Sequence, residues 1–193
     1  YDLRGCADHI IASPCEVMAA GFNYTDILPH LLADAGTSYD LPGVCSEYHD
    51  YYMNRATTKS GCIALTVTGE LEPLAAIVKE IETKYPGKTY DRASLQTYEG
   101  LDEHVFYDLQ GYIEAICDEK DPLLDNFRAQ MGKTFPTESR LHTPSFYSVY
   151  GLGDAPNGMH TIEDGKYSGV TTSAPCERFA PEWAQTSWYR ATH

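Results

Sequence analysis

Cysteine is the residue type with the most chemistry to offer in this chain. Six copies are spread along it, at Cys6, Cys15, Cys45, Cys62, Cys117 and Cys176. An even count without a CxxC pair predicts structural disulfides, which persist in oxidising compartments. The glycosylation sequon Asn23-Tyr24-Thr25 points to the same compartments. We therefore expect a secreted, extracellular glycoprotein with Asn23 as the glycan acceptor, and Tyr1 as a mature N-terminus from which a signal peptide has been removed.

The spacing of the cysteines does not choose among the pairings that six thiols allow. A nearest-neighbour scheme would join Cys6 to Cys15, Cys45 to Cys62, and Cys117 to Cys176. The alternative is that one or two of the thiols stay free and are buried as small hydrophobic side chains.

The segment Cys45-Ser46-Glu47-Tyr48-His49-Asp50 resembles the active-site helix of secreted phospholipases A2, in which a cysteine precedes a His-Asp pair. The resemblance implies that His49 is the general base for an attacking water and that Asp50 binds calcium. The glycine-rich calcium loop of that family is missing upstream, where 37–43 contains only Gly43. Calcium-dependent hydrolysis of lipid esters is therefore our alternative function.

His104 and Asp108 are four residues apart, so on a helix they would share one face. Together with Asp50 they are the weak candidates for a divalent-cation site. The sequence contains no HExxH, zinc-type cysteine cluster or EF-hand loop. We therefore expect no metal or other cofactor, except calcium under the alternative function.

The first two-thirds of the chain show helical periodicity. Helices are predicted from a cap at Thr25 to Gly36, from Asp40 through Tyr52, from Pro73 to Tyr85, from Leu101 to Cys117, and from Asp121 to Gly132. Cys62 to Val67 is short and β-branched, which is typical of a strand or an extended connector.

The composition of the chain changes after Phe135. Glycine and proline become frequent, and Asp164-Gly165 predicts a hairpin between Met159–Ile162 and Lys166–Val170. We therefore predict a mainly α, disulfide-bonded fold: a helical bundle-like domain over 1–135 and a loop-rich C-terminal segment over 136–193 that packs on it. That segment would contain a small β-hairpin.

The charge of the chain excludes some partners. Its 193 residues carry a formal net charge of −14, which disfavours nucleic acids and anionic membranes. No apolar run reaches the length of a membrane span. The 15 tyrosines would suit an interface with a protein, with a glycan or with a second copy of the chain.

No complete catalytic set is visible in the sequence. The leading hypothesis is accordingly a secreted, non-catalytic binding or assembly protein rather than an enzyme. The phospholipase A2-like hydrolase with His49 and Asp50 is the alternative. A carrier for a small apolar ligand is a third possibility.

Overall fold

The computed structural model of the chain describes residues 1–32, 39–150 and 158–193. Within these ranges no helix is long and apolar enough to cross a lipid bilayer. The predicted helix end at Gly36 lies outside the described residues.

A three-stranded antiparallel sheet joins distant parts of the chain. Its order is β1 (His9–Ala12), β2 (Ile63–Val67) and β4 (Arg140–Leu141). The register pairs Ala12 with Ala64, and Ala64 in turn with Arg140. Of the two structures expected for Cys62 to Val67, a strand or an extended connector, the structure shows a strand, and it is the central strand of this sheet.

Strand β2 is covered on both faces. Ile63 and Leu65 enter a core with helix α2 (Leu41–Asp50), and the side chain of Ala64 meets the backbone at Gly169 on the other face. A strand buried on both faces reads as a continuous apolar run, which is why Ile63-Ala64-Leu65 does not alternate with polar residues.

Helices α1 (Tyr24–Leu31) and α2 pack against each other beside the sheet. Asp40 caps α2 by accepting a hydrogen bond from the Gly43 amide at 3.0 Å, so this helix begins where the sequence predicts. A π-helical turn, Tyr51–Arg55, continues α2 and buries Tyr52.

The largest core is formed by three helices. They are α3 (Leu71–Lys84), α4 (Leu109–Ile116) and α5 (Pro122–Thr134). Leu74, Ile81, Ile113 and Phe127 are completely buried among them. The helices predicted to begin near Pro73 and at Asp121 are therefore present, as α3 and α5.

The C-terminal third returns to the rest of the molecule through two small sheets. Strand β5 (Ser145–Tyr147) pairs with β6 (Met159–Thr161), and β3 (Tyr107–Asp108) pairs with β7 (Thr171–Thr172). Two short helices follow, α6 (Ala180–Trp183) and α7 (Ser187–Thr192), and α7 packs against α3.

The expected fold class is wrong. The fold combines helices with a sheet that reaches from residue 9 to residue 141, so it is not a helical bundle. The predicted hairpin is also wrong. Gly165 does turn the chain at φ 76°, but Met159–Thr161 pairs with the preceding strand β5 rather than with Lys166–Val170. The domain boundary between 135 and 136 stays a prediction.

The helix predicted from Leu101 to Cys117 is half as long in the structure. It begins only at Leu109, because Asp108 caps it by accepting a hydrogen bond from the Gly111 amide at 2.8 Å. Residues 101–106 form a loop instead. The predicted helix ran past Asp108 because the prediction used only the spacing of apolar residues.

None of the six cysteines forms a disulfide in the structure, so the expected disulfide framework is wrong. Cys45, Cys62, Cys117 and Cys176 are buried among apolar side chains, where they pack as small hydrophobic residues. Cys45 and Cys62, which the nearest-neighbour scheme joins, belong to two different cores.

The contact between Gly169 and Ala64 predicts a strong effect of Gly169→Ala. Gly169 has φ +80°, and an added Cβ would lie 2.7 Å from the Ala64 Cβ. We expect the free energy of unfolding in urea to fall by about 1–3 kcal/mol. Gly132→Ala is the control: Gly132 lies in α5 with nothing within 4 Å of an added Cβ, and it should gain about 0.5–1 kcal/mol. Equal effects of the two substitutions would contradict the packing described here.

Asp121 makes the stability of the fold depend on pH. Its carboxylate lies 2.5 Å from Lys84 Nζ and accepts hydrogen bonds from the Tyr85 hydroxyl and the Leu123 amide. These contacts lower the pKa of Asp121 to about 2. A lowered carboxyl pKa stabilises the fold above the unfolded pKa of about 4, and this contribution is lost as the pH falls toward 2.

We therefore expect Asp121→Asn to lower the Tm at neutral pH and to approach the parent chain in Tm between about pH 4 and pH 2. Asparagine keeps the helix cap, so the substitution reports mainly the charge. Asp118→Asn removes an exposed ion pair with Lys88 and should change the Tm little. A Tm difference for Asp121→Asn that does not depend on pH would contradict this assignment.

Candidate functional site

Polar and thiol groups collect where β1 ends and β2 begins. We call this group the sheet-end cluster; it contains Cys15, Glu16, Ser60, Cys62, Thr143 and Ser148. Its hydrogen bonds connect three segments that are far apart in the sequence. Gly61 N donates to Thr143 Oγ1 at 2.8 Å, and Tyr147 N donates to Ser60 Oγ at 2.8 Å. The cluster therefore has a fixed backbone.

Glu16 holds the segment that leaves β5. Its Oε1 accepts hydrogen bonds from Ser148 Oγ at 2.8 Å and from Val149 N at 2.9 Å. Ser148 Oγ accepts in turn from Gly100 N at 3.2 Å. One half-buried carboxylate thus joins the end of β1 to two loops.

The two thiols of the cluster are in contact. A hydrogen bond with Cys62 lowers the pKa of Cys15, and Ser13 Oγ, 3.5 Å from the sulfur, lowers it further. The same contact, together with burial, raises the pKa of Cys62. Of the pair, Cys15 is the thiol whose ionised form this contact favours.

Asp108 is a buried carboxylate with four donors. Its Oδ2 accepts from Tyr98 Oη at 2.7 Å and from the amide and hydroxyl of Ser168 at 2.8 and 2.7 Å, while Oδ1 caps α4. Burial raises the pKa of Asp108, and these hydrogen bonds oppose that shift. Asp108 holds β3, α4 and the C-terminal segment together.

Glu99 plays a similar part in the loop 100–106. Its carboxylate accepts from the amides of Leu101, Val105 and Phe106 at 2.8, 2.7 and 3.2 Å. His104 Nδ1 lies 3.1 Å from Glu99 Oε2. His104 is therefore bound to a loop carboxylate, and Asp108 is occupied elsewhere, so the two do not form the pair that helical spacing suggested.

His49 and Asp50 lie at the end of α2. His49 Nε2 donates to the carbonyl oxygen of His142 at 3.1 Å, and Nδ1 lies 3.5 Å from Asp50 Oδ1. The side chain of Asp50 is 66% exposed. Over the described residues, no group of three or more His, Cys, Asp or Glu side chains could hold a metal ion, and this includes Asp50, His104 and Asp108.

The amide of Asn23 is occupied within the chain. Its Nδ2 donates to Asp26 Oδ2 at 3.0 Å, at the start of α1. Glycosylation of Asn23 stays a prediction.

A thiol acting in acyl transfer is commonly activated by a neighbouring imidazole. In the part of the chain that the structure describes, which includes every cysteine and histidine, no cysteine hydrogen-bonds a histidine. Burial raises the pKa of Cys45 to about 12 and also raises that of Cys117. These two thiols are packing groups.

The comparisons with known proteins give a clear family. A clostripain from Bacteroides thetaiotaomicron, solved in complex with the peptide inhibitor BTN-VLTK-AOMK, is 32% identical, with a TM-score of 0.85 over 100% of this chain and 80% of that chain. The chain belongs to the clostripain family of cysteine proteases. No family model matches the sequence, and no curated protein matches it either.

Two other clostripain-family structures are similar to the whole chain. A secreted C11 cysteine protease from the same species, called iotapain, is 32% identical with a TM-score of 0.85. An inactive zymogen C11 protease from Parabacteroides distasonis is 25% identical with a TM-score of 0.81. The chain spans only 51% and 54% of these two chains, respectively.

This membership corrects the functional expectations. The non-catalytic binder, the phospholipase A2-like hydrolase and the preference against an enzyme are all wrong, because the fold is that of cysteine proteases. His49-Asp50 after Cys45 is a short match on a helix whose histidine is bound to a backbone carbonyl. Such short motifs arise without their functional context.

Sequence reasoning missed the sheet-end cluster. Two signals in the sequence could have found part of it: the strand at Cys62 to Val67, and the apolar pair Ile10-Ile11 just before Ser13-Pro14-Cys15. Pairing these two runs in an antiparallel sheet would have brought Cys15 toward Cys62. Reading the first two-thirds as helical excluded that pairing.

The Asp108 network predicts a large stability effect. In Asp108→Asn one carboxylate oxygen becomes an amide donor facing the existing donors, so we expect a loss of about 2–4 kcal/mol in the free energy of unfolding. Tyr98→Phe removes a single donor and should cost about 1 kcal/mol. Urea denaturation of the two variants tests this, and a mild Asp108→Asn effect would mean that Asp108 is not the junction.

Proposed function

We propose that this chain takes part in the function of a clostripain-type cysteine protease, which hydrolyses peptide bonds. The observation that carries the proposal is the match over the whole chain to a clostripain solved with a bound peptide inhibitor. In this chemistry a thiolate attacks the peptide carbonyl, and an imidazole takes the thiol proton and returns it to the leaving amine.

We further propose that the six cysteines and seven histidines of this chain do not themselves form that pair. Cys15 has the lowered pKa, but its partners are Cys62 and Ser13 rather than an imidazole. His49 and His104 are held by a backbone carbonyl and by Glu99. The role of this chain is then to frame the site, through β2, Glu16 and the loops that Glu16 joins.

Basic peptides are the substrate class that fits best. The inhibitor in the related structure carries the peptide VLTK, which ends in lysine in one-letter code. This chain has 28 acidic against 14 basic residues, so its field attracts cationic peptides. The same field disfavours nucleic acids as partners.

Extracellular location is part of the proposal. One relative is described as a secreted protease, and the sequon at Asn23 is compatible with that route. The partner would then be an extracellular peptide or protein acting as substrate. Hydrolysis by a thiolate requires no metal, so we propose no cofactor.

The test is cleavage of a fluorogenic peptide ending in lysine. We expect the protease in which this chain frames the site, which we call the native protein, to cleave the peptide. It should lose this activity after alkylation of its thiols. Single Cys→Ser variants at the six positions should keep comparable kcat/KM values, because removing a nucleophile costs on the order of a thousandfold or more. The 193-residue chain assayed alone should show no turnover.

The outcomes separate the two parts of the proposal. Absence of thiol-dependent cleavage by the native protein would overturn the protease function. Turnover by the 193-residue chain that disappears in one Cys→Ser variant would keep that function and overturn the framing role. His49→Gln is the control for the discarded hydrolase, and it should leave cleavage unchanged.

A further inference from the structure

Two thiols meet at the sheet end although a long stretch of chain separates them. Cys15 follows β1 and Cys62 immediately precedes β2. The antiparallel register that pairs Ala12 with Ala64 brings both positions together just beyond the end of the ladder. Cys15 and Cys62 also share one packed cluster, with Tyr98, Phe146 and Ile162.

The two thiols differ in access. Cys62 is 1% exposed, whereas Cys15 is half-buried. The Cys15 amide donates to Ser13 Oγ at 3.2 Å, which fixes the turn that carries the thiol. We therefore expect Cys15, the more exposed of the two, to meet an external reagent first and Cys62 to be the second thiol.

We propose that Cys15 and Cys62 form a thiol–disulfide exchange site, which a low-molecular-weight disulfide such as oxidised glutathione converts into a cross-link. The Cys15 thiolate attacks one sulfur of the glutathione disulfide, and the S–S bond breaks to release one glutathione thiolate. Cys62 then loses its proton and attacks the Cys15 sulfur, which releases the second glutathione. Two protein thiols are oxidised, and one glutathione disulfide is reduced.

The remaining cysteines are placed elsewhere. Cys45 belongs to the core around α2, and Cys117 and Cys176 belong to the core of α3, α4 and α5. Cys6 is exposed. The reaction should therefore select one pair among the six thiols, and it is a different pair from any that nearest-neighbour spacing suggested.

The cross-link would change the stability of the folded chain. The chain between Cys15 and Cys62 contains α1, α2 and the π-helical turn. Closing this segment at its base removes conformations from the unfolded chain but leaves the folded contacts in place, so the oxidised form should be more stable. The exchange requires no peptide substrate, so it stands apart from the proposed proteolysis.

The experiment incubates the folded 193-residue chain in glutathione buffers of graded redox ratio, traps free thiols by alkylation at acidic pH, and maps peptides by mass spectrometry without reduction. We expect a single linked peptide that joins Cys15 to Cys62, formed reversibly. The Tm should rise by about 5–10 °C on oxidation.

Matched variants make the result specific. Cys15→Ser should abolish both the linked peptide and the rise in Tm, and Cys62→Ser should leave only a glutathione adduct on Cys15. Cys6→Ser should behave like the parent chain. Cys15 and Cys62 found as separate adducts, linked to other cysteines, or unmodified when Cys6 has reacted would each overturn the proposal. The linked peptide is read on the parent chain, so the test does not depend on a variant that folds poorly.

Discussion

The burial of one short strand on both of its faces is the constraint on which the rest of the structure depends. Strand β2 receives β1 on one edge and β4 on the other, so residues from the first tenth and the last third of the chain are fixed by the same five residues. Ile63 and Leu65 anchor α2 on one side. The backbone at Gly169 closes the other side, at a distance that leaves no room for a side chain.

Buried carboxylates also hold the fold in place, beside the buried strand. Asp108 and Glu99 each accept several backbone or side-chain donors, so a side-chain carboxyl group replaces the regular hydrogen bonds that a loop lacks. These two residues fix the loops beside the small sheets, and Glu16 does the same at the sheet end. The loops of the site region are thus held mainly by polar contacts, while α3, α4 and α5 are held by apolar packing.

Local signals predicted the local elements well. The helix starts at Asp40 and Asp121 were recognisable, and the β-branched run before Val67 was recognisable as an extended segment, because each depends on neighbours in the sequence. The helix start at Asp108 was missed because its apolar neighbours continue the helical spacing past the cap. The pairing of β1 with β2 and of β5 with β6 depends on contacts between distant residues, which no local pattern contains. Reading an even number of cysteines as disulfides then misdirected the functional inference toward a scaffold, although Cys45, Cys117 and Cys176 pack as core residues.

The clamp that Glu99 places on the loop 100–106 has a consequence for how this surface can change. The carboxylate binds three backbone amides and a single side chain, so most of the loop is held without regard to which residues it carries. Divergent chains that keep the acid could therefore vary the residues displayed there while the path of the backbone stays the same. Such a position is a natural place for relatives to acquire new surface chemistry without losing their shared architecture.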